Sequence, residues 1–305
     1  MSKIYRTKRI EGITVPGIIH NGSYFMINVD VYEDGMVNCW ELVDMHGLKN
    51  KLEQGWLVPG IPDEEHLSIF QLGYYKVENA DWLYTPETYY AHLQQTIHQL
   101  NPDAANIYTI HEREQQLMQQ RKIIYSPKAV PFHVENEIGY STVDGSGFYI
   151  FYRGSEQNSL VYLNVYQDGR VDWIHDGQEY VSDMDKVQEL FEDGTFFTDC
   201  KHSVRIQIGG LAEVTLTGSA SASAADKYAE LQEMHIRLRG GKTAMEHCRA
   251  CYHAYLEEPS EYHREQLREA YEKIPEHKRM FLGDMDSRDS DYVRIIYDPE
   301  DKREV

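Results

Sequence analysis

From residue 24 to residue 32 large apolar residues alternate with smaller or polar ones, the period of a strand with one buried face. Asp34-Gly35 follows, a pair that tolerates positive φ in a tight hairpin turn, and the strand resumes from Met36 to about Val43. A short helix is predicted over 48–54, closed by Gly55 as a C-cap; then come a strand over 67–77 and an amphipathic helix over 86–100, with Pro86 in its first turn. The same order returns further on. Strands over 160–167 and 170–174 flank Asp168-Gly169, a helix over 186–192 ends at Gly194, and a strand over 203–216 precedes a helix over 225–238.

The recurrence extends to residue identities. Tyr32, Asp34, Gly35, Val37, Asn38 and Trp40 are answered by Tyr166, Asp168, Gly169, Val171, Asp172 and Trp173. Asp44-Met45 and Gly55 are answered by Asp183-Met184 and Gly194, His66 through Gly73 by His202 through Gly209, and Tyr90-Ala91 by Tyr228-Ala229. Collinear matches of this kind predict an α+β fold made of two tandem copies of an antiparallel sheet-plus-helix unit, followed by a C-terminal helical hairpin. The divisions are 1–110, a helical connector over 111–126, 127–239 and 240–305. Gly218 through Ser223 reads as a flexible loop before the second terminal helix, and Asp144-Gly-Ser-Gly147 as a loop between strands. In the last segment Thr243 and Glu246 form a capping box, an apolar stripe runs from Ala244 to Leu256, Pro259 stops the helix and Ser260 caps the next one. Residues 292–297 read as a closing strand.

Charge changes the picture of what such a chain would bind. Against 30 Lys+Arg stand 50 Asp+Glu, a formal net charge of −20. Residues 1–110, 111–242 and 243–305 carry −7, −7 and −6, so the acidity is spread over the chain and not held in a tail. That argues against direct nucleic-acid binding, which needs a basic footprint, and favours steering toward a basic protein partner. The absence of an apolar run long enough to span a bilayer, of a signal peptide after basic Lys3, Arg6, Lys8 and Arg9, and of a dense cysteine framework gives a cytoplasmic expectation with no membrane partner.

Candidate chemistry is sparse. Gly240-Gly241-Lys242-Thr243 ends like a phosphate-binding loop, but Ile236 stands where that motif needs its first glycine. His247, Cys248, Cys251 and His253 do not converge on one helical face, so core packing is the better reading than zinc. Asp284, Asp286, Asp289 and Asp291 form the densest carboxylate cluster and the first place to look for a hard cation, although the spacing misses the calcium-loop pattern. His66 and His202 fall at matching positions and read as structural, and no nucleophile elbow exists. No cofactor is implied and no catalytic residue is assigned. Trp40 and Trp173, at like positions after a hairpin turn, are expected in or near the core. Trp56 and Trp82 have no counterpart in the second copy; with Glu41 and Asp44 they make the candidate partner face.

The stretch from Ile27 to Asp44 and the stretch from Ile274 to Asp286 are similar to an uncharacterised bacterial family of small cytoplasmic proteins of unknown function. The resemblance implies no catalytic assignment. Duplicated, acidic, tyrosine-rich chains also resemble in style the immunity proteins that neutralise polymorphic toxins. The expectation is a non-enzymatic acidic protein-binding module of the immunity, antitoxin or phage-defence kind. The alternatives are a metal-dependent enzyme using the C-terminal carboxylates and a structural or oligomer-forming subunit.

Overall fold

The computed structural model describes residues 10–120, 132–134, 142–274, 276–279, 281–283 and 288–300. It is a mixed α+β protein. In chain order the first elements are β1 (Gly12–His20), β2 (Tyr24–Tyr32), β3 (Val37–Asn38), β4 (Leu42–Val43), α1 (Met45–Glu53), β5 (Leu57–Val58), β6 (His66–Ile69), β7 (Gly73–Trp82), α2 (Pro86–Leu100) and α3 (Glu112–Gln119). There follow β8 (Phe132–Val134), β9 (Thr142–Arg153), β10 (Asn158–Tyr166), β11 (Arg170–His175), β12 (Gln178–Asp183), α4 (Met184–Glu192), β13 (Phe196–Phe197), β14 (Cys200–Ile208) and β15 (Ala212–Ala220). The helices α5 (Ala224–Leu238), α6 (Ala244–Glu257), α7 (Glu261–Glu272), α8 (Glu276–Arg279) and α9 (Arg288–Tyr297) complete the chain.

Two compact units divide these elements. The first comprises Met1–Pro131, Phe148–Asn164 and Val171–Ala224; the second comprises Phe132–Gly147, Val165–Arg170 and Ala225–Val305. The first unit is built on a long sheet in the order β12-β11-β10-β14-β15-β7-β6-β2-β1-β5. Antiparallel pairs such as β1 with β2 and β7 with β15 are joined by two parallel ones, β2 with β6 and β10 with β14, in place of a wholly antiparallel sheet. Parallel neighbours need a crossover, and the segments carrying α1 and α4 supply it. The sheet twists far enough that Tyr149 on β9 donates a hydrogen bond to Asn28 Oδ1 on β2. Tyr75, Val77, Phe151, Ile206 and Leu216 are buried in the resulting core, and Tyr75 donates to the Thr198 carbonyl at 2.7 Å.

Several local expectations change. The single strands over 67–77 and 203–216 are each a hairpin, β6–β7 and β14–β15, because Gln71 (φ 58°) and Gly209 (φ 43°) turn the chain in the left-handed region. Parallel register sets Leu67 opposite Tyr24 and Ile206 opposite Asn158. Gly218, Ser219 and Ala220 are strand, not loop: they extend β15 along Tyr75, Tyr74 and Gly73 of β7. There the glycine is required, since at φ 151° a Cβ would lie 2.9 Å from the Tyr74 carbonyl oxygen. Asp144 through Gly147 likewise lie within β9, where Thr142, Val143 and Asp144 pair with β8.

In the second unit α6 and α7 pack together with α9 around Cys248, Tyr252, Leu267, Tyr271, Tyr292 and Ile295. Residues 292–297, expected as a strand, are helical. Tyr292, Ile295 and Ile296 are buried while Val293 and Tyr297 are exposed, and spacing of three and four is helical, not alternating. The glycines before Lys242 close α5, with Gly240 at φ 76°, and Thr243 caps α6 through a capping box with Glu246.

Candidate functional site

At the N-terminus of α1 the Asp44 carboxylate accepts from the Gly47 amide at 2.8 Å and, through its other oxygen, from the Ile110 amide at 3.0 Å. It is buried, and it fastens both the helix start and the chain leading into α3. Asp44→Ala should therefore cost about 1–2 kcal/mol in denaturant unfolding, the upper end of an N-cap loss because a second amide is released. An unchanged midpoint would contradict this role.

Glu41 is exposed and pairs with Lys51 Nζ at 3.0 Å, and the same ammonium lies 3.9 Å from the centre of the Trp56 ring. Glu41, Asp44, His46, Lys51, Ile110 and Met118 line a groove of about 300 Å³. Three of the four candidate face residues are thus brought together, with Lys51 linking Glu41 to Trp56. Trp82 lies apart from them. Its ring covers Gly60, where a Cβ would come within 2.6 Å of it, and its indole N–H donates to the Ile61 carbonyl at 3.0 Å. Both Trp56 and Trp82 are partly buried against the core.

Trp40 reverses its expectation. It is 70% exposed and sits at φ 77°, between β3 and β4. Trp173, by contrast, is buried, stacked on Tyr180 at 5.5 Å and edge-on to Phe196 at 5.2 Å. Counted from the shared Tyr-x-Asp-Gly turn, Trp173 stands level with Cys39, and Trp40 with Ile174, which is 65% exposed. One residue of displacement along a strand moves a side chain to the other face. A further exposed residue escaped the sequence reading: Val181 on β12, at 58%. The signal was present in Asp176-Gly177, a two-residue hairpin turn with both residues at positive φ (50° and 70°).

Several of the other chemical candidates among the described residues are buried in the fold. Asp284 and Asp286 lie outside the described residues, and Asp289 lies in α9. Asp291 is buried and accepts from Arg294 Nη2 at 3.2 Å and from the Tyr252 hydroxyl at 3.5 Å. Among the described residues no group of three or more His, Cys, Asp or Glu is arranged to hold a metal ion. Burial pushes the Cys39 thiol up to about 11 and those of Cys200 and Cys248 to about 12, which keeps them protonated and unreactive at neutral pH. Ser159 Oγ lies 2.9 Å from His175 Nδ1, and both residues are buried within strands. Asp30 accepts from Thr14 and Asn38, each at 3.0 Å, and Asn164 donates to Asp172 at 2.8 Å across the corresponding strands. None of the described helices is long and apolar enough to cross a membrane.

Among the described residues, large apolar side chains exposed on or beside the sheet include Trp40, Phe70, Tyr74, Ile174 and Val181. Residues 1–104 and 133–242 match the family described as a domain of unknown function (DUF7638), and the chain belongs to that family. Residues 243–304 match a second description of the same kind (DUF7639). No curated protein and no solved structure matches the chain.

Proposed function

We propose that the protein is a non-enzymatic binding module for a basic protein partner, of the immunity or antitoxin kind, built from two copies of one α+β unit and a C-terminal helical module. Duplication is supported by the single family description matching two segments. It is supported too by Asp44 and Asp183, which cap α1 and α4, nine residues each, closed by Gly55 and Gly194 at positive φ. Val77, paired with Leu216 where β7 meets β15, is its counterpart under the same 139-residue shift that relates those caps. The copies would then join about a local twofold axis through that pair. On this reading the divisions are 1–110, 111–126, 127–239 and 240–305.

The observation that carries the binding function is Trp40. A bulky L-residue in the left-handed region costs about 1–2 kcal/mol, and an exposed indole recovers little of it by packing. Such strain is explained by a use outside the fold. Tryptophan is the residue type most enriched among interface hot spots, and the surrounding acidity would steer a basic partner toward it. Trp40→Gly separates the roles: it should raise the unfolding free energy by about 1 kcal/mol while partner capture falls. Unchanged capture by a stabilised variant would overturn the assignment of Trp40.

A further inference from the structure

We propose that β12 is a docking edge, to which an extended basic segment of the partner adds as a further strand of the sheet. This rests on the reading that the partner is a basic protein, and it names the surface and the mode of recognition.

A strand at the end of a sheet presents a row of backbone N–H and C=O groups, and proteins usually blunt it with lysine, proline, short length or a covering segment. The opposite end of this sheet is blunted: β5 has two residues, and β1 carries Pro16. The strand β4 in the first half is also two residues long, with Val43 buried beside Ile110 and Met118. By contrast β12 has six residues, Gln-Glu-Tyr-Val-Ser-Asp, without lysine, proline or glycine. Gln178, Glu179, Val181 and Asp183 are exposed, and among the described strands β12 ends the order on its side.

Charge selects the occupant. Residues 170–193 contain eight acids and two bases, and both bases are already paired, Arg170 with Asp168 and Lys186 with Asp183. By strand alternation Glu179, Val181 and Asp183 share one face while Tyr180 points to the other, where it stacks on Trp173. A segment alternating lysine with valine would set its cations on the face of Glu179 and Asp183 and its apolar side chains beside Tyr180. A second copy of the chain would place acids against acids, which disfavours self-pairing. Strand addition of this type draws affinity from main-chain hydrogen bonds and specificity from alternate side chains.

The test uses the full chain and a short peptide of alternating lysine and valine, with hydrogen exchange as the readout. Amides of 178–183 should gain protection when the peptide is added, and a peptide with glutamate in place of lysine should give none. V181K, at an exposed position, should weaken peptide binding by about tenfold through like charge. The variants Glu179→Pro and Tyr180→Pro supply a second arm. In an edge strand one of two adjacent N–H groups faces outward, so the variant that keeps its unfolding temperature should lose binding. Salt-sensitive binding that leaves 178–183 unprotected, or that ignores both kinds of variant, overturns the docking edge while leaving the basic-partner reading in place. Protection of 178–183 that rises with protein concentration alone assigns the edge to a second copy and also overturns it.

Discussion

Leu216→Ala should lower the unfolding free energy by about 3–4 kcal/mol, among the larger losses available to a single truncation in this chain. Leu216 is fully buried and pairs with Val77, itself fully buried, at the centre of a nine-residue antiparallel register. That register runs from Ala212 opposite Trp82 to Ala220 opposite Gly73, with a bulge where Glu78 is skipped. Truncation there opens a cavity between strands that come from distant parts of the sequence, so no local element can collapse to fill it. Val77→Ala should cost less, and the double variant should deviate from additivity by about 0.5 kcal/mol or more, because the two side chains share one space. Thermal and denaturant unfolding of the three variants measures both quantities. A loss below about 1 kcal/mol for Leu216→Ala would mean that β7 and β15 do not form the central seam.

The second large effect lies at alkaline pH. The Tyr75 and Tyr89 hydroxyls are buried and donate to the carbonyls of Thr198 and Pro16, each at 2.7 Å. Burial raises both phenols above their ordinary value of 10.0. A group whose pKa is raised by folding keeps its proton in the native state after the unfolded chain has released it. Its contribution is complete below pH 10 and is lost as pH rises above that value. These two groups alone contribute a slope of about 2.7 kcal/mol per pH unit between about pH 10.5 and 11.5, to which the other buried phenols and thiols with raised values add. Tyr75→Phe and Tyr89→Phe should each lower the total slope by about 1.4 kcal/mol per pH unit, whatever they cost at neutral pH. Equal slopes in wild type and both variants would show that the two phenols do not remain protonated inside the fold.

Legibility in the sequence followed the range of the interactions. The caps at Thr243 and Ser260, the C-terminal glycines of α1 and α4, and the Asp34-Gly35 and Asp168-Gly169 turns all depend on residues within one turn of chain. Their side chains state their backbone conformation directly. The hairpin β6–β7 is hidden because Gln71 is a turn residue with no turn chemistry of its own, held at positive φ by the surrounding register, whereas Gly209-Gly210 between β14 and β15 is a turn signal that the single-strand expectation over 203–216 passes over. The parallel pairings were hidden for a similar reason, since which strand a segment meets depends on a crossover and not on its own pattern. At the candidate face the sequence groups Trp56, Trp82, Glu41 and Asp44, but it does not show that Asp44 is occupied as a cap, that Lys51 bridges Glu41 and Trp56, or that the Trp82 indole is held by Ile61. Trp40 was misplaced because the eye aligns tryptophan with tryptophan, while the sheet aligns backbone positions.

On the proposed reading this acidic chain works by holding a basic protein. Capture from a lysate of the encoding organism, with the full chain as bait and mass spectrometry of what co-elutes, is the decisive measurement. One basic protein is expected at near-stoichiometric yield, released as salt is raised and missing when Trp40→Gly is the bait. A bait that returns empty, or that returns the same protein regardless of salt and of Trp40, would contradict it.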